Sequence, residues 1–293
     1  MEKLSSLCAA LMMLISCGSL SSEPVEIVPG SIHKGLIEVL EPVASGIKTE
    51  GSNGVIIDYS NTSDGYIMVK ADVTDKKLKT IITHENERYT YTTFPGNEWN
   101  VYPLQMGSGE YEVKVYENIE GDKYGVLNSL ELEVIQSNQN KVYLYPHQYI
   151  WYTNDKNAIK LSFDICEGIT SDAEKVTKIY DYITWYLSYD DEKAKNVENG
   201  YIPDVDSVLQ SRKGICFDYS ALFASMLRAQ NIPVRLVMGY VEPNNLYHAW
   251  NQVYIEGKWV FMDPTFGSQA EQIDNLHRKA VFELTDKKGN IDK

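Results

Sequence analysis

Hydrophobic periodicity changes near the middle of this chain, and the change limits the folds open to it. From about Gly54 to Val134, short runs of alternating apolar and polar residues are separated by polar turns, which is typical of antiparallel strands in an all-β unit. Beyond Asp155, apolar residues recur at spacings of three and four, which indicates amphipathic helices. A chain of 293 residues, 43% of them apolar, also exceeds the usual size of one domain, so two domains are expected.

The first half predicts a β-sandwich of the immunoglobulin-like kind over residues 31–136. The clearest strand is Tyr111–Tyr116, with Tyr111, Val113 and Val115 on one face. Further predicted strands are Tyr66–Ala71, Thr80–Ile82 and Leu130–Val134, with turn signals at 63–65, 95–97, 107–109 and 120–122. The many tyrosines are interpreted as strand-face and core residues. A surface that contacts carbohydrate or protein is the alternative.

The N-terminus predicts export and lipidation. Residues Leu4 to Ser16 form an apolar stretch behind Lys3 that is too short to span a bilayer and is typical of a signal peptide, residues 1–16. Leu14-Ile15-Ser16-Cys17 resembles the bacterial lipobox, so Cys17 is the predicted lipidation site, and residues 17–30 are a predicted tether. The alternative is an ordinary signal peptide with a chance cysteine. Two acyl chains at Cys17 would hold the protein at the extracytoplasmic face of the cell membrane.

Charge and motif content exclude several classes of function. The net charge is −14 and the pI is near 4.8, which would repel phosphate backbones, so no nucleic-acid partner is expected. The sequence contains no Gly-rich phosphate loop, nucleotide motif or metal-ligand spacing, and its five histidines are scattered. We therefore expect no cofactor and no metal.

The second half, residues 137–293, predicts an α+β domain. Ser137 to Asp155 is interpreted as a connector, and Ser171-Asp172-Ala173-Glu174 as a capping box that opens an amphipathic helix at roughly 172 to 188. A short helix is predicted over Val205 to Ser211. The charged run Asp190 to Lys195 is interpreted as a solvated face, and a cation site is the alternative.

A cysteine lies at the start of the next predicted helix. Gly214-Ile215-Cys216 precedes apolar positions that continue to Asn231-Ile232-Pro233, where the helix should end. Unpaired N–H groups and the helix dipole favour the thiolate form of a cysteine so placed. Cys166 is interpreted as a small buried apolar residue. A Cys166–Cys216 disulfide is formally possible in an exported protein, but it would consume the thiol that the downstream pattern needs.

A hairpin follows that carries a histidine and an aspartate. Its two strands are predicted on either side of Glu256-Gly257, one containing His248 and the other ending near Asp263. With a two-residue loop, Ile255 faces Lys258, His248 faces Thr265, and Asp263 is the diagonal neighbour of His248 on the same sheet face. A three-residue loop would put His248 and Asp263 on opposite faces.

Together these residues predict cysteine-based acyl transfer. Cys216 would be the nucleophile, His248 the base that takes its proton, and Asp263 the carboxylate that orients the ring and stabilises its positive charge. The backbone N–H of Cys216 is one expected donor of an oxyanion hole. Trp185, Tyr186 and Tyr189 are candidates for a second donor, although packing roles are the simpler interpretation.

The chain resembles the bacterial transglutaminase-like superfamily over roughly residues 165 to 267. The resemblance rests on three ordered blocks: Gly214-x-Cys216-x-Asp218-Tyr219, Tyr247-His248-Ala249-Trp250-Asn251 and Trp259-x-x-x-Asp263-Pro264-Thr265. It implies a papain-like α+β fold and the same three catalytic roles. It does not imply one reaction, because members of this superfamily include cross-linkers, peptidases and amidases.

The leading hypothesis is a lipid-anchored, extracytoplasmic thiol enzyme that acts on an amide of a protein, a peptide or a cell-wall peptide. The alternatives are a cysteine peptidase or amidase with the same three residues, and a non-catalytic binding or structural module at the cell surface. The polar chain after Gly267 leaves open whether an extra strand is present there.

Overall fold

The computed structural model describes residues 38–73, 76–241, 245–271 and 288–291. The predicted signal peptide, the tether and Cys17 lie outside the described residues. The fold is α+β and contains several antiparallel sheets. Among the described residues, no helix has the length and apolar content needed to cross a membrane.

Eight strands form two four-stranded antiparallel sheets in the first half of the chain. The strands are β1 (Thr49–Ser52), β2 (Val55–Asp58), β3 (Tyr66–Ala71), β4 (Leu78–His84), β5 (Glu87–Thr93), β6 (Asn100–Pro103), β7 (Gly109–Glu120) and β8 (Lys123–Val134). One sheet has the order β1-β2-β3-β6 and the other the order β5-β4-β7-β8. The predicted strand at Tyr66–Ala71 is confirmed with its bounds, and the other predicted strands lie within longer ones.

The two sheets share one apolar core. Val55, Ile57, Ile67 and Val69 from the first sheet pack with Leu78, Ile82, Tyr91, Tyr111, Val113 and Val115 from the second. The predicted common face of Tyr111, Val113 and Val115 is buried, as the alternation of side chains along a strand requires. The more specific immunoglobulin-like assignment, and the domain boundary at 136, stay predictions.

The predicted connector 137–155 packs against the second half of the chain. It contains a 3-10 helix, Lys141–Leu144, and its Tyr143 ring lies edge-on to Trp259. The Arg235 guanidinium lies 4.6 Å from the Tyr143 ring centre and 3.9 Å from that of Trp259, and buried Arg228 donates a hydrogen bond to the Tyr145 carbonyl. These contacts attach the segment to the sheet and helix that carry the candidate site.

The second half of the chain packs helices against an antiparallel sheet. The helices are α1 (Asn157–Ile165), α2 (Asp172–Tyr186), α3 (Asp191–Asn196), α4 (Val205–Ser211), α5 (Cys216–Ala229) and α6 (Pro264–Glu271). The strands are β9 (Ser188–Tyr189), β10 (Lys213–Gly214), β11 (Val234–Val241), β12 (Leu246–Ile255), β13 (Lys258–Met262) and β14 (Lys288–Ile291). The sheet order is β13-β12-β11-β14, and β9 and β10 form a separate parallel pair.

Helix α5 is buried along nearly its whole length, from Asp218 to Ala229, so it lies at the centre of the second core. Ser171 is the N-cap of α2, and its side chain accepts a hydrogen bond from the Glu174 N–H, which is one of the two bonds of the predicted capping box. Helix α2 ends at Tyr186 rather than at the predicted 188, because Ser188 and Tyr189 form the extended strand β9 that pairs with β10. Strand β14 pairs with β11 and forms one edge of the sheet, so the chain after Gly267 does supply an extra strand.

The β12–β13 hairpin has the predicted two-residue loop. Ile255 pairs with Lys258, and Glu256 and Gly257 have φ values of 50° and 80°, as a type I′ turn requires. The predicted pairing of His248 with Thr265 is wrong, because β13 ends at Met262 and Pro264 begins α6.

The backbone geometry of the β12–β13 turn predicts that a substitution at Glu256 will stabilise the folded protein. Glu256 has left-handed backbone geometry, which costs roughly 1–2 kcal/mol for most residues but little for Asn or Gly. Glu256→Asn should therefore raise the free energy of unfolding by about 1 kcal/mol in urea denaturation. Gly257→Ala is the matched control and should lower it by a similar amount, because no atom lies within 4 Å of the added Cβ and only the backbone is strained. Destabilisation by Glu256→Asn would contradict this account of the turn.

Candidate active site

Cys216 is the first residue of α5, and local geometry fixes its position. The preceding residue, Ile215, is the N-cap, and its N–H donates a hydrogen bond to Asp218 Oδ2 at 2.8 Å. Only glycine fits at position 214 without a steric clash, because a Cβ there would lie 2.7 Å from the Asp218 Cβ. The Cys216 N–H belongs to the first turn, whose N–H groups have no intrahelical partner.

His248 and Asp263 form a buried hydrogen-bonded pair. His248 lies within β12, and Asp263 lies between β13 and α6. The distance between His248 Nε2 and Asp263 Oδ2 is 2.7 Å, and the side chains are only 5% and 0% exposed. The two-residue turn keeps both residues on one face of the sheet.

Asp263 is also held by three hydrogen bonds from two helices, α6 and α2. Its Oδ1 accepts a hydrogen bond from the Phe266 N–H at 3.1 Å, which is the usual cap of a helix start. Its backbone carbonyl accepts hydrogen bonds from the Gly267 N–H at 3.1 Å and from the Tyr180 hydroxyl of α2 at 3.0 Å. One oxygen of the carboxylate therefore caps α6, and the other binds the His248 ring.

The His248 ring also interacts with the Cys216 thiol. Burial opposes protonation of the ring, but hydrogen bonds to Asp263 and to the Cys216 thiol outweigh it and raise the pKa of His248 to about 9. The ring is also packed against Phe266, with centroids 5.1 Å apart. A thiol and an imidazole in contact beside a carboxylate can exchange a proton and stabilise the resulting ion pair.

Cys166 and Cys216 are both free thiols. Cys166 is buried, 5% exposed, and burial raises the pKa of its thiol to about 11. The prediction of a small buried residue at Cys166 is confirmed, and the two cysteines form no disulfide. Cys216 is the more accessible of the two.

Two tyrosines lie within electrostatic range of the thiol. Burial, together with the nearby Cys216, raises the pKa of Tyr189 to about 12, and the pKa of Tyr247 is raised by burial and by the charges of Tyr240 and Cys216. Tyr189 lies beside Gly214 in the parallel strand pair. The other two oxyanion-hole candidates, Trp185 and Tyr186, pack against Tyr182.

Sequence reasoning missed a polar cluster beside Cys216. Asp218, 0% exposed, accepts hydrogen bonds from Lys193 Nζ at 2.7 Å and from the Tyr201 hydroxyl at 2.6 Å. The interpretation of residues 190–195 as a solvated face is therefore wrong for Lys193. The available signal was the acidic residue three positions after the N-cap, as in a capping box. Lys193 and Tyr201 also line an open cavity of about 480 Å³, formed by residues 193 and 196–201.

No three His, Cys, Asp or Glu side chains lie close enough to hold a metal ion within the ranges that the structure describes. The described residues 190–195 are therefore not part of a ligand group of the kind that the alternative cation site would need.

Comparison with known proteins identifies the class of this half of the chain. Residues 159–264 match the model of the transglutaminase-like superfamily. The chain is 31% identical over 133 residues to the mouse (Mus musculus) kyphoscoliosis peptidase, covering 42% of this chain and 20% of that protein. It is 28% identical over 166 residues to the human (Homo sapiens) kyphoscoliosis peptidase, covering 53% and 24%. The chain thus spans less than a quarter of the length of these relatives.

Among solved structures, a candidate cysteine protease from Cytophaga hutchinsonii aligns with a TM-score of 0.39 and 18% identity, covering 68% of this chain and 71% of that one. The family match shows that residues 159–264 are a transglutaminase-like core domain. That superfamily contains cysteine peptidases and acyltransferases. The catalytic roles of Cys216, His248 and Asp263 stay predictions.

The His248–Asp263 pair predicts that the stability of the folded protein depends on pH. Because the folded-state pKa of His248 lies above the ordinary 6.5, the protonated ring's contribution is fully present below pH 6.5 and is lost as the pH rises through about 9. Asp263→Asn should lower the pKa of His248, measured by NMR titration, and flatten the fall in unfolding free energy over that window. The Asn side chain can still cap α6 through its amide oxygen. An unchanged His248 pKa would contradict the assignment of Asp263 as its partner.

Proposed function

We propose that this protein is an extracytoplasmic thiol enzyme that forms a thioester acyl-enzyme on Cys216 from an amide of a protein or peptide. The observation that carries the proposal is the buried His248–Asp263 pair, whose imidazole also interacts with the Cys216 thiol at the start of α5. The transglutaminase-like core at residues 159–264 supports it.

In the first step, His248 Nδ1 takes the proton of the Cys216 thiol. The thiolate attacks the carbonyl carbon of the substrate amide and forms a C–S bond. The negative charge on the carbonyl oxygen is stabilised by the Cys216 N–H. When the C–N bond breaks, the imidazolium returns its proton to the leaving ammonia or amine, and a thioester remains on Cys216.

In the second step, an amine or water attacks the thioester. His248 takes a proton from the attacking group, the C–S bond breaks, and the thiolate is restored. Asp263 stabilises the imidazolium in both steps and keeps the Nε2 proton directed away from the thiol. An amine acceptor gives transfer, and water gives hydrolysis.

Hydrolysis by the same residues is the second candidate. The relatives found in mouse and human are named peptidases, which favours a cysteine peptidase or amidase for the shared segment. A non-catalytic surface module is the remaining alternative. A cell-wall peptide is one substrate class consistent with an exported protein.

The test is to incubate the full chain with a fluorescent primary amine and a glutamine-rich protein, and to follow amine incorporation and ammonia release. Incorporation that is lost in Cys216→Ala and retained in Cys166→Ala supports transfer. Ammonia or new peptide termini without incorporation support hydrolysis. Equal signals from the protein and from Cys216→Ala would contradict the proposed enzyme.

We also propose that Cys17 carries the lipid, on the basis of Leu14-Ile15-Ser16-Cys17. The protein made in a bacterial host should partition into the detergent phase of a Triton X-114 extract, because two acyl chains give stable membrane binding. Cys17→Ser should partition into the aqueous phase. Detergent partitioning of Cys17→Ser equal to that of the unaltered protein would contradict lipidation at this residue.

A further inference from the structure

A fully buried carboxylate lies in the first helical turn beside the candidate nucleophile. Asp218 follows Cys216 by two residues, and its oxygens accept three hydrogen bonds from three segments of the chain. The donors are the Ile215 N–H, Lys193 Nζ of α3 and the Tyr201 hydroxyl of the loop before α4. The carboxylate thus joins the start of α5 to the segment 190–201.

This position creates an electrostatic conflict. A carboxylate near a helix N-terminus interacts favourably with the unpaired N–H groups there. A second negative charge at Cys216 would be repelled by it, because like charges at short range disfavour each other's ionised form. Lys193 Nζ, 2.7 Å from Asp218 Oδ2, supplies the opposite charge that cancels this repulsion.

The Lys193 ammonium is fixed in place by its surroundings. It donates a hydrogen bond to the Tyr201 hydroxyl at 2.7 Å and lies 4.3 Å from the Tyr201 ring centre, where a cation is attracted to the ring face. Its backbone N–H donates a hydrogen bond to Asp190 Oδ1, and the Asp190 N–H donates one to the Gly214 carbonyl. Segment 190–201 is thereby attached to the residues just before Cys216.

We propose that Lys193 is a positioning residue for Cys216 that balances the charge of Asp218, and that Tyr201 is a neutral structural partner that holds the lysine and the carboxylate in place. The inference rests on the proposed role of Cys216 as a nucleophile. Its specific content is that the charge of Lys193, beyond its packing, is needed for the thiolate.

Other charged and titratable groups face the same region and must stay constant in the test. His248 and Tyr247 approach Cys216 from β12, and Tyr189 approaches from β9. The negative charge of Asp191 in α3 helps to raise the pKa of Tyr189, and the charge of Asp204 helps to raise the pKa of Tyr201. All of these groups are unchanged in the variants below.

The experiment measures the rate of iodoacetamide alkylation of Cys216 in the full chain from pH 4 to pH 10, by mass spectrometry of the Cys216 peptide. Lys193→Met should move the midpoint of the rate profile to higher pH by on the order of one unit, because it leaves the Asp218 charge unbalanced. Lys193→Arg should restore the midpoint. Tyr201→Phe should lower the urea midpoint of unfolding and leave the alkylation midpoint within a few tenths of a unit of the unaltered protein.

Two further variants keep the test decisive if Lys193→Met fails to fold. Asp218→Asn leaves the lysine charge unbalanced and should move the alkylation midpoint to lower pH. Lys193→Met combined with Asp218→Asn removes both charges and should return the midpoint close to that of the unaltered protein. A Lys193→Met profile that superimposes on the original, an equal shift in Tyr201→Phe, or an upward shift in Asp218→Asn would overturn the proposal.

These outcomes are separate from failure of the proposed function. An inactive protein would show neither amine incorporation nor amide hydrolysis, whatever its alkylation profile. A catalytic protein whose Cys216 profile is insensitive to Lys193 would retain the proposed function and lose only this inference.

Discussion

The hydrogen bond between His248 and Asp263 is the interaction on which the candidate site depends. Both side chains are buried, and an ion pair withdrawn from water is tolerated only when its partners and remaining hydrogen bonds are in place. Asp263 meets this condition by capping α6 with one oxygen and binding the His248 ring with the other. Asp263 therefore links the register of the hairpin, the start of α6 and the orientation of the His248 ring.

The thiol side of the site repeats this arrangement. Asp218 is a second buried carboxylate at a helix start, and it binds a second cation, Lys193. In each case the carboxylate fixes a backbone turn and also sets the electrostatic surroundings of a reactive group. One lies against the imidazole and the other two residues from the thiol, and the packing of α5 against β12 brings the imidazole and the thiol together.

Local rules were enough to predict the parts of the site that depend on short stretches of sequence. Helix α4 and the start of α5 follow from capping and periodicity, and Glu256-Gly257 predicts the register that puts Asp263 beside His248. The contacts of Asp218 could not be predicted, because Lys193 and Tyr201 are 25 and 17 residues away and only the folded chain brings them together. The sequence left open whether a strand follows Gly267 for a similar reason, since a polar edge strand such as β14 gains its stability from pairing with β11.

The most direct test of the central claim is acylation of Cys216 by a small reactive ester. The full chain would be mixed with p-nitrophenyl acetate, and the acetylated residue identified by mass spectrometry with and without hydroxylamine, which cleaves thioesters. The account predicts rapid, hydroxylamine-sensitive acetylation of Cys216 at neutral pH that is strongly slowed in His248→Ala. Acetylation of Cys216 at the same rate in His248→Ala, or none at Cys216 at all, would contradict it.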